Sequence, residues 1–146
     1  MTIIFDQKTI SLIVSQNIIP LLKNKRIFAL YGPMGSGKTT LVKEFLRQCG
    51  ITQTVVSPTF GYVNTYHDNH GRVFYHFDLY RLSSLNEFIS AGFDELLSTQ
   101  DSFHLIEWPE LIKPLLTSSQ YQPDVQIITL SYLPKKLSQR ALTLEE

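Results

Sequence analysis

Gly32-Pro33-Met34-Gly35-Ser36-Gly37-Lys38-Thr39 decides how this chain is read. The stretch meets G-x-x-x-x-G-K-[ST] at every fixed position. Ahead of it, Ile27-Phe28-Ala29-Leu30-Tyr31 is a short apolar, β-prone run that predicts a buried strand. Behind it, residues 40–48 predict a helix with Leu41, Val42, Phe45 and Leu46 on one face. Strand, glycine loop and helix together form a phosphate cradle. Backbone N–H groups of Gly35, Ser36, Gly37, Lys38 and Thr39 converge on phosphate oxygens, and the helix start, with Thr40, adds partial positive charge. Lys38 is expected to reach the β- and γ-phosphates as a point charge, and the Thr39 hydroxyl to ligate magnesium.

Composition narrows the remaining choices. The chain has 146 residues, enough for one domain with a real core and too few for two. Hydrophobic residues make up 43% and charged residues 18%, ordinary values for a water-soluble fold. Thirteen basic residues balance thirteen acidic ones, so the chain lacks the overall charge of a protein that holds nucleic acid by itself; Lys135-Lys136 with Arg140 is the one local basic patch in view. A single cysteine, Cys49, excludes a disulfide within the chain and points to a reducing compartment; it reads as a small buried apolar residue. No basic segment leads an apolar run at the N-terminus and no stretch approaches a membrane span, so a cytoplasmic protein is expected.

Around the loop, residues 2–5 predict a strand and Asp6 a cap for a helix to about Leu22, bent or ended in its last turn by Pro20. Gly50 closes the helix after the loop. Residues 60–66 and 72–79 are β-prone and aromatic, and Asp68-Asn69-His70-Gly71 between them has turn chemistry, which predicts a hairpin. Ser84-Leu85-Asn86-Glu87 is a capping box for a helix to about Ser90; after Gly92, residues 93–97 predict a second helical piece. Residues 103–106 form a short buried strand. Pro109 suits a helix start and Pro114 limits that helix, residues 118–124 are a polar loop, and residues 125–132 and 141–144 are the last strands. The expected architecture is one three-layer α/β domain. Its central sheet is parallel near the loop and antiparallel at the hairpin and the C-terminal strands, with ligand at the carboxyl ends of the parallel strands.

A phosphate loop needs acidic partners to hold magnesium and orient water. Glu107 ends the strand Phe103-His104-Leu105-Ile106, where a metal-side carboxylate belongs. Three roles stand open for it: direct magnesium ligand, ligand through water, or polariser of the attacking water. Asp78 ends Val73-Phe74-Tyr75-His76-Phe77, and alternation puts Asp78, His76 and Phe74 on one face. Asp78 reads either as a site acid or as the residue fixing the next turn, or pairing with Arg81. Ser57-Pro58-Thr59-Phe60 sits where nucleotide switches place a hydroxyl, although a plain Ser-Pro turn has the same appearance. Trp108, the only tryptophan, reads as packing or as a contact to nucleotide or partner. The four histidines have no metal-ligand spacing and read as hairpin or strand residues with satisfied hydrogen bonds.

Four segments in this order, the loop through Thr40, Ser57-Pro58-Thr59-Phe60, His76-Phe77-Asp78-Leu79-Tyr80-Arg81-Leu82 and Glu107-Trp108-Pro109-Glu110, make the chain resemble the TsaE (YjeE) family over nearly its whole length. The resemblance implies a P-loop ATPase of bacterial tRNA threonylcarbamoyladenosine biosynthesis, binding ATP or ADP with magnesium. It implies a two-protein threonylcarbamoyl transferase as partner, with tRNA met only through that complex, at adenosine 37, and no membrane. By match, Lys38 and Thr39 take the phosphate and magnesium roles, Thr59 belongs to the switch-like segment, Asp78 and Glu107 are the functional acids, and Trp108 is the aromatic beside the site. Pro33-Met34 departs from the acidic residue and Leu expected there, and Pro33 removes one early loop donor. Two other readings compete: a small P-loop kinase, which would need an Arg-bearing lid that none of the five arginines supplies, and a nucleotide-gated binding module with negligible turnover. A GTPase is disfavoured because no Asn-Lys-x-Asp segment occurs.

Overall fold

The computed structural model describes residues 1–145. Seven strands form one sheet: β1 (Thr2–Asp6), β2 (Ile27–Tyr31), β3 (Val63–His67), β4 (Val73–Asp78), β5 (Ser102–Glu107), β6 (Val125–Tyr132) and β7 (Gln139–Glu145), in the spatial order β1-β7-β6-β2-β5-β4-β3. The centre, β6-β2-β5-β4, is parallel. Both flanks are antiparallel: β3 on β4, and β6-β7-β1. This is the mixed sheet expected, because tight turns join only antiparallel neighbours while helical crossovers join parallel ones.

Period-two alternation divides the sheet into two cores. Phe28, Leu30, Phe74, Leu105 and Ile128 face the helical segment 10–23 and α2 (Lys38–Gln48). Ile27, Ala29, Phe77 and Ile106 face α3 (Leu85–Ser90), α4 (Phe93–Ser98) and α5 (Lys113–Leu116). On the first face Leu41, Val42, Phe45 and Leu46 of α2 are buried as their spacing predicts, with Phe45 5.2 Å from Phe28 between ring centroids. Each such side chain contributes roughly 1.5–3 kcal/mol by leaving water. Cys49 joins this core, and burial pushes its thiol up to about 12, so it is unreactive as well as apolar.

Several local expectations need correction. Helix α2 begins at Lys38 rather than Thr40, because Gly37, at φ 103°, turns the loop directly into the helix. The first helix is not regular: α1 (Ile10–Ile13) passes into a π-helical stretch, Val14–Ile18, and a 3-10 turn, Ile19–Lys23. Pro20, with no N–H to donate, accounts for the change at that end. Asp6 is not its cap; the Asp6 carboxylate accepts the N–H groups of Lys8 and Thr9 and closes the turn between β1 and the helix. Strand β3 starts at Val63 because Tyr62 takes φ 61°, which no strand ladder accepts. Pro114 ends the 3-10 turn Pro109–Ile112 but also opens α5, and the loop before β6 holds a further 3-10 turn, Gln122–Asp124. The capping box at Ser84 forms, with Ser84 accepting from the Glu87 N–H, while Glu87 reaches back to Ser83. Gly50 takes φ 87° directly after α2, as a closing glycine should. Among the described residues no helix is long and apolar enough to cross a membrane.

Candidate nucleotide site

Parallel strands end together, and that brings separate segments of the chain to one place. In the sheet register Leu30 of β2 lies beside Glu107 of β5, and Glu107 lies beside Asp78 of β4. The loop that leaves β2 after Tyr31 therefore passes directly over two carboxylates. Its first glycine is needed for close approach: a Cβ on Gly32 would come 2.4 Å from the Leu130 carbonyl oxygen of β6. The loop is pinned from the same strand by Tyr132, whose hydroxyl donates to the Met34 carbonyl.

At the end of the loop, Leu41 makes the first intrahelical bond of α2, to Gly37. The N–H groups of Gly37, Lys38, Thr39 and Thr40 have no acceptor within the helix, which is the anion-binding arrangement of a helix start. The N–H of Ser36 instead donates to the Pro33 carbonyl at 3.1 Å, and the Ser36 hydroxyl is buried without a partner.

Lys38 is buried along most of its length. Its ammonium donates to the carbonyls of Gly32 at 2.6 Å and Pro33 at 3.0 Å, and lies 3.9 Å from the centre of the Trp108 ring. Burial lowers its pKa, against the opposing pull of Glu107, Glu110 and Asp78. The Thr39 hydroxyl donates to both oxygens of Glu107, at 2.9 and 3.0 Å. Asp78 accepts the Tyr80 N–H at 3.1 Å, so it does fix the turn after β4, and no ion pair links it to Arg81 among the described residues. Burial, with Glu107 adding to it, raises the Asp78 pKa. Trp108 stands in the left-handed region, φ 57°, which turns its ring back over Lys38 and against Tyr80 at 4.8 Å between centroids. These groups enclose a cavity of about 300 Å³ lined by Gly35, Gly37, Lys38, Thr39, Thr40, Asp78, Glu107 and Trp108, with Met34 and Tyr80.

A family model described as Threonylcarbamoyl adenosine biosynthesis protein TsaE matches residues 6–140. The chain belongs to the TsaE family. A Rickettsia felis protein named tRNA threonylcarbamoyladenosine biosynthesis protein TsaE is 38% identical over 73% of this chain and 61% of its own length. A Rickettsia typhi protein of the same name is 34% identical over 84% of this chain and 81% of its own. The chain spans about three fifths of the length of the Rickettsia felis and Rickettsia conorii relatives it matches. The crystal structure of Bacillus subtilis YdiB shares the fold, with a TM-score of 0.63 at 23% identity, over 99% of this chain and 84% of that one.

Against this TsaE frame, the expected site residues fall into two groups. Gly35, Gly37, Lys38, Thr39, Thr40, Asp78, Glu107 and Trp108 come together. Ser36 is buried and does not line this cavity, and Thr59 lies in an adjoining cavity of about 210 Å³ that shares Asp78 and Tyr80 with the first. Trp108 packs against the core under α3 to α5, as the packing reading expects, and its ring also faces the loop lysine. Three participants escaped the sequence reading. Tyr80 packs at a tilt against Trp108 from the turn after Asp78. Tyr132 anchors the loop from β6, far away in sequence but next to β2 in the sheet. His76, one of the histidines assigned a satisfied strand role, donates to Glu107 at 2.8 Å while its Nδ1 has no partner. Of these, only His76 carried a usable signal, its place on the Asp78 face of β4. A third cavity, about 700 Å³, runs on from Gly35, Gly37 and Thr40 to Phe5, Lys8, Leu137 and Arg140.

Proposed function

We propose that this chain binds ATP with magnesium at the glycine loop and hydrolyses it, slowly alone and faster with a two-protein threonylcarbamoyl transferase. Its hydrolysis thereby supports threonylcarbamoylation of adenosine 37 in tRNA. The observation that carries the chemistry is the bond from the Thr39 hydroxyl to the Glu107 carboxylate. It joins the loop's metal-side hydroxyl to an acid on the neighbouring strand.

Each residue has a role that follows from its position. The free N–H groups from Gly37 to Thr40 hold phosphate oxygens. Lys38 exchanges the Gly32 and Pro33 carbonyls for phosphate. With its hydrogen given to Glu107, Thr39 turns lone pairs toward the cavity. Among the described residues no three His, Cys, Asp or Glu side chains converge as a metal cage. The donor set nonetheless fits magnesium, which is ordinarily held by one or two protein oxygens together with phosphates and water. Thr39, backed by Glu107, would hold magnesium, and the ion when bound would supply positive charge to offset what develops on the phosphates. Asp78, beside Glu107 in the sheet register, takes the role of orienting the attacking water. The larger cavity beside the loop offers room for base and ribose between the N-terminal segment and the start of β7. The names of the TsaE relatives support the pathway, and the chain's neutral charge supports meeting tRNA through a complex.

Single-turnover hydrolysis and ATP binding of Glu107→Ala, with and without the transferase pair and tRNA, test this reading. Hydrolysis should fall at least about a hundredfold, while binding suffers much less. Normal hydrolysis by this variant would move the role to Asp78. Equal wild-type rates with and without the pair would remove the partner coupling, and rapid phosphorylation of a small acceptor would favour a kinase.

A further inference from the structure

His76 is fully buried, and its only polar contact among the described residues is Glu107. Register explains the meeting. On adjacent parallel strands Asp78 lies beside Glu107, and His76 beside Leu105, so His76 sits one step behind Glu107 on the same face of the sheet. A carboxylate only accepts, so the imidazole Nε2 carries the hydrogen and donates it to Oε1 at 2.8 Å. The other ring nitrogen, Nδ1, is buried without a partner. Beyond that one bond to β5, the imidazole ties no backbone group and no further element among the described residues.

Packing alone does not account for such a residue. The position faces the core that holds Phe74 and Leu105, and an apolar ring there would avoid the cost of burying two polar nitrogens. What the imidazole adds is control of Glu107. The carboxylate is gripped from two sides, by Thr39 at the start of α2 and by His76 from β4. Two grips from rigid elements fix its rotation, which a carboxylate at the end of a strand does not have by itself.

We propose that His76 is a positioning residue that holds the Glu107 carboxylate against the Thr39 hydroxyl. The proposal rests on the nucleotide reading of the site. It gives that reading an outer support of the kind that orients metal-side carboxylates, whose loss usually costs 10–100-fold.

The test compares wild type, His76→Phe and His76→Gln. Phe keeps a ring and loses the donor; Gln places an amide N–H near the position of Nε2. Folding is followed by thermal unfolding, ATP affinity by calorimetry with and without magnesium, and hydrolysis by single turnover. In His76→Phe the magnesium-free affinity should stay within about twofold, while the magnesium-dependent tightening and the hydrolysis rate fall about 10–100-fold. His76→Gln should recover most of that loss. A folded His76→Phe that keeps both magnesium tightening and hydrolysis overturns the proposal. Wild type that binds no ATP overturns the nucleotide reading itself, and with it any need to position Glu107. If His76→Phe does not fold, ring nitrogen shifts of wild type decide. Hydrogen on Nε2, with a shift that moves in Glu107→Gln, upholds the bond, and hydrogen on Nδ1 overturns it.

Discussion

His76 on β4 and His104 on β5 are neighbours in the sheet, both fully buried, and both have an unpartnered Nδ1. They face opposite sides. His76 looks toward the start of α2 and bonds a carboxylate that lines the nucleotide cavity. His104 looks toward the aromatic core under α3 and α4, stacked on Tyr75 at 5.2 Å and near Phe77. Its Nε2 meets the Ser102 hydroxyl at 2.9 Å, and that hydroxyl donates its single hydrogen to the Thr99 carbonyl. The His104 Nε2–H must therefore be the donor to Ser102. That chain of bonds ends in backbone and closes the turn before β5. Burial, with Arg26 adding to it, lowers the His104 pKa to about 3, so this ring stays neutral wherever the protein is folded. Equal burial thus accompanies two different uses. What separates them is where the hydrogen bonds lead, to a carboxylate lining the loop cavity or to a turn.

The largest effect should come from the cavity face. Lys38→Ala should abolish hydrolysis and strongly weaken nucleotide binding, since the loop N–H groups alone do not offset phosphate charge. In wild type, ATP or ADP with magnesium should give a saturable change in Trp108 emission, because the ammonium that leaves the carbonyls of Gly32 and Pro33 also leaves the indole ring. Full activity in Lys38→Ala, or a flat titration beside calorimetrically measured binding, would break the contrast between the two faces.

The opposite face should answer in stability rather than activity. Its folded-state pKa of about 3 lies below the ordinary 6.5, so the unfolded chain takes up a proton that the native ring refuses. Stability from His104 is complete above about pH 6.5 and is lost as pH falls toward 3, with a slope approaching about 1.4 kcal/mol per pH unit. Urea unfolding at pH 7.5 and 5.5 should show wild type losing about 1 kcal/mol more than His104→Gln. ATP hydrolysis at pH 7.5 should be unchanged in that variant once folding is accounted for. A parallel pH response in the two proteins would show that His104 does not carry this term.

The smallest effect belongs to the far end of α2. Glu44 there accepts from Arg47 at 2.7 Å and from Gln48 at 2.6 Å, and the Arg47 bond leads in holding its pKa at about 2. Glu44→Gln should cost under about 1 kcal/mol at neutral pH. The difference should vanish as pH falls from about 4.5 toward 2, where the wild-type carboxylate is protonated. A larger loss, or any loss of nucleotide binding, would mean that the two ends of α2 are coupled.

The loop, its strand and its helix were legible because the signal is contiguous: a glycine pattern between an apolar run and an amphipathic one. Glu107 and Asp78 were legible because each ends an apolar strand. The irregular segment 10–23 was not, since its apolar spacing is helical while Pro20 and tertiary packing decide which helical form each turn takes. The His76 bond was only half visible. Alternation put His76 on the Asp78 face, but not beside Glu107, because that depends on β4 and β5 pairing in one register.

The sequence by itself determined the phosphate cradle, the mixed sheet and the acids at the ends of its strands, because these follow from local pattern and from the limited ways in which strands connect. Only the tertiary structure decided which groups meet: Thr39 with Glu107, Glu107 with His76, Lys38 with the Trp108 ring, Tyr132 with the loop, and β7 beside the N-terminal segment at the larger cavity. Those contacts join residues far apart in the chain. Their partners are set by strand order, register and backbone turns such as the left-handed one at Trp108, which no local pattern encodes.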